Sequence, residues 1–169
     1  EMARQIGSSM RELGVHHGLA PVLDVVRDAR WGRVEECIAE DPYVVGELGT
    51  AYVRGLQSTG IIATLKHFVG YSNSRAGRNL APVHAGPREV RDVLLTPFEM
   101  AVRDGGVRSV MHSYAEIDGV PAAAEPGAEA LALKAPAFRT NHGQIVLNDT
   151  SDGKIYSFEE QRYVQNWEE

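Results

Sequence analysis

With one cysteine, Cys37, in 169 residues, the sequence cannot form an internal disulfide, so a hydrophobic core must hold the domain together. Glu35 and Glu36 stand beside the thiol and disfavour its thiolate, so Cys37 reads as a structural residue and not as a nucleophile. Cations are in short supply: 17 Lys and Arg face 23 Asp and Glu, for a net charge of −6. Nucleic-acid binding depends on clustered cations that release counterions, so a nucleic acid is not an expected partner. No run of about 18 apolar residues is present, which excludes a helical membrane span. The stretch Glu1 to Gln5 also lacks the basic and apolar regions of a signal peptide. A soluble chain is expected, either cytoplasmic or secreted. A helix-like start at Glu1 in place of Met suggests that upstream residues have been removed. The six histidines, His16, His17, His67, His84, His112 and His142, show no recognised ligand spacing. Neither a metal nor another cofactor is expected.

What is there is a repeat. Gly14, Gly60 and Gly106, each 46 residues after the last, precede short apolar runs: the stretch to Asp24, Ile61 to Lys66, and Val107 to His112. Such runs, rich in Val and Ile and without strict alternation, fit strands buried on both faces of a parallel sheet. Helical segments lie between them. Asp41-Pro42 supplies a cap and an N1 proline for a helix to about Gln57, with Val44, Val45, Leu48, Tyr52 and Leu56 on one face. Gly86-Pro87 opens another, through Val90, Leu94, Phe98 and Val102, that stops at Gly105-Gly106. A first helix covers about Ala3 to Leu13.

This α, β, α, β, α, β order implies right-handed crossovers and an α/β fold, either doubly wound or a barrel. Long polar segments follow each strand, Val25 to Glu40, Val69 to Gly86 and Ala115 to Pro121, whereas the helix-to-strand joints are tight. Both folds place binding groups at the carboxyl ends of strands. No GxGxxG or GxxxxGK[ST] loop follows any strand, which disfavours nucleotide binding. The expectation is a partial (β/α) TIM-type barrel, truncated or permuted, because three or four units cannot close eight strands.

Three strand ends carry chemistry. After the first, Asp28-Ala29-Arg30-Trp31-Gly32-Arg33 offers guanidinium forks that hold hydroxyls or a carboxylate, or else an Asp–Arg network that staples the loop. At the second, Lys66 and His67 are adjacent. Neighbours on a strand face opposite sides, so both reach one ligand only if the strand ends or bulges there; the alternative is a snorkelling lysine and a turn-capping histidine. At the third, Tyr114 is either a ligand group or a core tyrosine with a satisfied hydroxyl.

The segments APVLDVVRDARWGR, EDPYVVGELGTAYVRGLQ, IATLKHF, PREVRDVLLTPFEMAVRDGG and SVMHSYAEIDGVPAAA, in that order, closely resemble the first domain of family three glycoside hydrolases, over about Gly7 to Ala124. The resemblance implies a retaining β-glycosidase of the β-glucosidase and β-xylosidase branch, acting on terminal β-linked glucose or xylose. It carries the sugar-holding roles of that family to Arg33, Lys66, His67 and Tyr114. As donors, the two cations and the imidazole suit a sugar's hydroxyls. The branch that uses a KHFPGHG loop fits less well, since Tyr71 follows Val69-Gly70 here.

The resemblance divides the chain into 1–124 and a divergent tail, 125–169. The family's nucleophilic aspartate maps to Asp149, after a possible fourth strand at Ile145 to Leu147; Asn148 and Thr150 depart from the pattern. Read without the family, 148–153 is a polar turn between that strand and Lys154 to Phe158. A retaining enzyme needs two carboxyl groups roughly 5 Å apart, and no segment matches the source of the second. Three functions compete: a glycosidase, a sugar-binding face without turnover, and a half barrel that assembles with itself or with a missing segment, since open edges and apolar faces favour association.

Overall fold

The computed structural model describes residues 1–122 and the backbone of four later strands. The order begins with α1 (Met2–Glu12), α2 (Pro42–Gln57), β1 (Thr64–Phe68), α3 (Pro87–Glu89), α4 (Thr96–Arg103) and β2 (Ser109–His112). There follow β3 (Glu116–Ile117), β4 (Val120–Pro121), β5 (Ala137–Arg139), β6 (Gln144–Leu147), β7 (Lys154–Ser157) and β8 (Arg162–Gln165). No helix among the described residues is long and apolar enough to cross a membrane.

The three expected apolar runs lie side by side. Residues 16–23 run parallel to 62–66: Ile62 N donates to His16 O at 2.9 Å, Gly18 N to Ile62 O at 2.8 Å, Thr64 N to Ala20 O at 3.0 Å, and Leu23 N to Lys66 O at 2.7 Å. Beyond them β1 pairs in parallel with β2, Thr64 opposite Ser109 and Leu65 opposite Val110. Each run is entered through its glycine in the left-handed conformation, with φ of +79° at Gly14, +82° at Gly60 and +61° at Gly106. A residue with a Cβ resists that backbone, so the 46-residue period records a conformational need at each helix-to-strand joint.

Asp41 caps α2 as expected, accepting from Val44 N at 2.9 Å, and Pro42 occupies the first turn. The buried face differs from the expected one. Val45, Gly46, Gly49, Thr50, Val53 and Leu56 face inward, while Val44 and Leu48 are exposed. The two glycines decide this: a Cβ at Gly49 would run into the Leu23 side chain, and one at Gly46 into Met100. Backbone seated against the first strand and α4 substitutes for the apolar stripe that periodicity suggests.

The expected continuous helix from Gly86 is interrupted. A short α3 passes into a π-turn, Val90–Leu94, in which Leu95 N donates to Val90 O at 2.8 Å; α4 starts at Thr96. Pro97 is the cause, because its ring cannot donate and clashes with the carbonyl one turn back. Phe98 still reaches the core, its ring edge-on to Phe68 at 5.3 Å between centroids.

A strand does form at the possible fourth position, but β6 runs antiparallel to β2, with Ser109 opposite Val146 and Met111 opposite Gln144. A parallel partner would need a crossover of a dozen residues or more. Instead β6 pairs antiparallel with the preceding β5, leaving only 140–143 between them. Lys154–Ser157 pairs with Arg162–Gln165, not with the strand at 144–147 as the alternative reading had it. The parallel series among the described residues therefore ends at β2, and no closed barrel is formed by them.

Substituting Gly60→Ala tests the joint. A Cβ there meets only the Arg11 side chain at 3.9 Å, so the cost is conformational. The expected result is about 1 kcal/mol lower stability, read as a reduced urea midpoint at unchanged slope.

Candidate functional site

The site gathers where the first two parallel runs end. Asp24 closes the first, its side chain buried beside β1. β1 loses its register with β2 between Leu65 and Phe68. That irregularity meets the condition for Lys66 and His67 to serve one place. A short 3-10 turn, Val34–Glu36, then sets Arg33 and Glu36 side by side over that strand end.

The contacts form a chain. Asp24 Oδ2 accepts from the backbone N–H of His67 at 3.1 Å and lies 2.8 Å from His67 Nδ1. His67 Nε2 lies 2.9 Å from Arg33 Nη1. Arg33 grips Glu36 with two nitrogens, Nη2 donating to Oε2 at 2.7 Å. Lys66 Nζ stands 3.8 Å from the same Oε2. Glu36 therefore bridges the two cations. The Arg33 hydrogen bond is the largest influence holding its carboxyl below the ordinary value, and Glu36 in turn raises Arg33.

An aromatic wall backs the cluster. Tyr71, buried after β1, meets the His67 ring edge-on at 5.1 Å and the Trp31 indole at 5.3 Å, and the Arg33 guanidinium lies 5.9 Å from its centroid. Burial raises the Tyr71 phenol, which hydrogen-bonds to the Asn79 side chain. Ser72 Oγ donates to Val25 O at 2.6 Å, tying this loop to the first run. Tyr114 follows β2 and is 69% exposed, its ring 6.3 Å from Tyr71 and 5.8 Å from His112. The core reading of Tyr114 fails; its ring is at the surface, beside the cluster.

Of the residues singled out from sequence, Arg33, Lys66 and His67 are brought together, and Tyr114 is joined to them through Tyr71. Asp149 lies outside the described residues. Arg30 does not join: it binds Asp28 with Nη2 to Oδ2 at 2.7 Å on the surface, and Asp28 is held down to about 2 by that partner. The two arginines around Trp31 thus divide the two readings, Arg30 stapling the loop and Arg33 facing the cluster. Burial pushes the Cys37 thiol up to about 12, as an inert structural cysteine requires.

Sequence reasoning missed Asp24, Glu36 and Tyr71 as parts of the site. Glu36 had a local signal, standing three residues after Arg33, the spacing of facing residues on a helical turn. Asp24 had a weaker one, a carboxylate at the end of an apolar run. Chemically the cluster offers fixed donors, a carboxylate acceptor and an aromatic wall, the groups that hold a neutral polyhydroxyl compound. Among the described residues, the carboxylates that touch it are Asp24 and Glu36, and both are engaged in aiming other groups.

The sequence profile of the "Glycosyl hydrolase family 3 N terminal domain" matches residues 1–137. A "Beta-xylosidase" of Formosa agariphila is 47% identical over 130 residues, covering 72% of this chain and 18% of that protein. A "Beta-glucosidase" of Rhizobium radiobacter is 36% identical over 121 residues, covering 72% and 15%. Among solved structures, a beta-glucosidase from Listeria innocua in complex with glucose superposes with a TM-score of 0.74 at 32% identity, over 77% of this chain and 19% of that one. The chain spans less than a fifth of the length of these proteins.

The Glu36 bridge has a pH signature. Its folded pKa is depressed below the reference value of 4.5, so its contribution is present above that value and fades as pH falls through the folded pKa. Glu36→Gln is expected to flatten the fall in stability on the acid side of 4.5, measured by urea unfolding across a pH series; an unchanged slope contradicts the bridge.

Proposed function

Because the chain belongs to the glycosyl hydrolase family 3 N terminal domain family, we propose that its strand-end cluster holds the terminal sugar of a β-glucoside or β-xyloside. The observation that carries this is the convergence of Arg33, Lys66 and His67 on one strand end against Tyr71. Arg33 and Lys66 donate to sugar hydroxyls, and charge-assisted donors are the ones that tighten where negative charge develops, as on the leaving oxygen. His67 fixes the depth of the sugar beside them. Tyr114, exposed at the edge, offers its ring face to the apolar side of the pyranose. The relatives named for β-xylosidase and β-glucosidase activity, and the glucose complex of the Listeria innocua enzyme, support this substrate class.

In this reading the parallel runs form part of a TIM-type barrel, with residues 1–124 as the barrel portion and 125–169 as the divergent tail. Turnover requires a nucleophilic carboxylate, and Asp149 is the candidate for it. A second reading, sugar binding without turnover, is favoured by Asn148 and Thr150, which depart from the family's pattern on either side of Asp149. Both readings share the sugar site; they differ in whether Asp149 and a second carboxyl group act on the sugar held there.

Titration with glucose and with xylose, followed by NMR, tests the shared site. The folded wild type is expected to bind at least one of them, and Arg33→Ala and Lys66→Ala each to weaken that binding about tenfold or more, the loss of one charge-assisted hydrogen bond. No binding by the folded wild type overturns the proposal. A 2-fluoro β-glucoside that labels Asp149 selects the retaining enzyme; a binding-competent chain that takes no label selects the second reading.

A further inference from the structure

We infer that Asp24 is a positioning residue that locks His67 as a neutral imidazole protonated on Nδ1, so that Nε2 accepts from Arg33 and holds that guanidinium in place for the sugar. This rests on the sugar-site reading for its functional part and on hydrogen-bond chemistry for the rest. An arginine nitrogen can only donate, so the 2.9 Å contact from Arg33 Nη1 requires a lone pair on His67 Nε2. An ionised carboxylate can only accept, so the 2.8 Å contact with Asp24 Oδ2 requires a proton on Nδ1. One tautomer satisfies both neighbours, whereas an imidazolium or the opposite tautomer would turn an N–H toward the guanidinium.

The lock is built into the sheet. Asp24 Oδ2 also receives the backbone N–H of His67 at 3.1 Å, so the carboxylate fixes the ring and its own main chain together across two parallel runs. Asp24 and His67 are both about 97% buried, each being 3% exposed. The remaining charged groups near the ring are Arg33, Glu36 and Lys66 on its open side, with Tyr71 edge-on. Asp24 touches no part of the open side and acts through His67.

Long-range proton–nitrogen NMR of the histidine rings at about pH 8, with His67 assigned by its loss in His67→Gln, reads the tautomer directly. A protonated Nδ1 and a bare Nε2 are expected in the wild type. A protonated Nε2, or protons on both nitrogens, overturns the lock whether or not the chain binds sugar. Asp24→Ala is expected to mix the tautomers and to weaken glucose binding about tenfold, while Asp24→Asn, whose amide oxygen can still accept, keeps the tautomer and most of the affinity. An Asp24→Ala chain with unaltered ring nitrogens and affinity also overturns it. If this variant does not fold, the wild-type spectrum decides alone. Failure of wild-type binding with the expected tautomer present strikes the sugar reading and leaves the lock intact.

Discussion

One oxygen of Asp24 organises the end of the sheet. It receives both the main-chain and the ring N–H of His67, and each hydrogen bond to a charged acceptor contributes about 1.5–3 kcal/mol in a favourable setting. A buried carboxylate without such donors would be costly to desolvate, so the pairing is what makes the aspartate tolerable there. The other oxygen, Oδ1, has no partner among the described residues. The arrangement is therefore directional, with one edge of the carboxylate bound to β1 and the other spare.

Outward from that contact, rigidity gives way to exposure in steps. His67 is buried and has both ring nitrogens engaged; Arg33 and Glu36 are half-open; Tyr114 is at the surface. Each step is held by the one beneath it. Arg33 is aimed by His67 on one side and Glu36 on the other, and a planar guanidinium held at two edges loses little further freedom when a hydroxyl arrives. Among the described residues the Lys66 ammonium pairs with Glu36, at a longer distance, and keeps more of its own freedom. The wall of Tyr71 and Trp31 keeps the cluster's inner side apolar, which strengthens every charge-assisted contact made on its open side.

Much of the frame was legible because it is local. Asp41-Pro42 announces the start of α2 by capping chemistry, and three glycines at equal spacing announce three helix-to-strand joints whose backbones are left-handed. Three features were not legible. Pro97 breaks a helix whose apolar period runs straight through it, so the period gave no warning. The buried face of α2 is set by what Gly46 and Gly49 touch, which no pattern along the helix contains. The direction of β6 follows from its pairing with β5, and apolar runs of strand length carry no sign of direction.

For the site, the sequence by itself determined the types: a WGR arginine, an adjacent lysine and histidine, and a tyrosine, each at a strand end, in a pattern specific enough to indicate the family. It also determined the period that repeats these ends. Only the tertiary structure decided which of them meet. Arg30 and Arg33 flank the same Trp31-Gly32 pair, yet one closes on Asp28 at the surface and the other on His67, because a three-residue turn swings Arg33 over the next strand. Asp24 acquires its role from a partner 43 residues away. Contacts across parallel strands depend on register, and register is fixed by the packing of the whole sheet, which lies outside the reach of any local pattern.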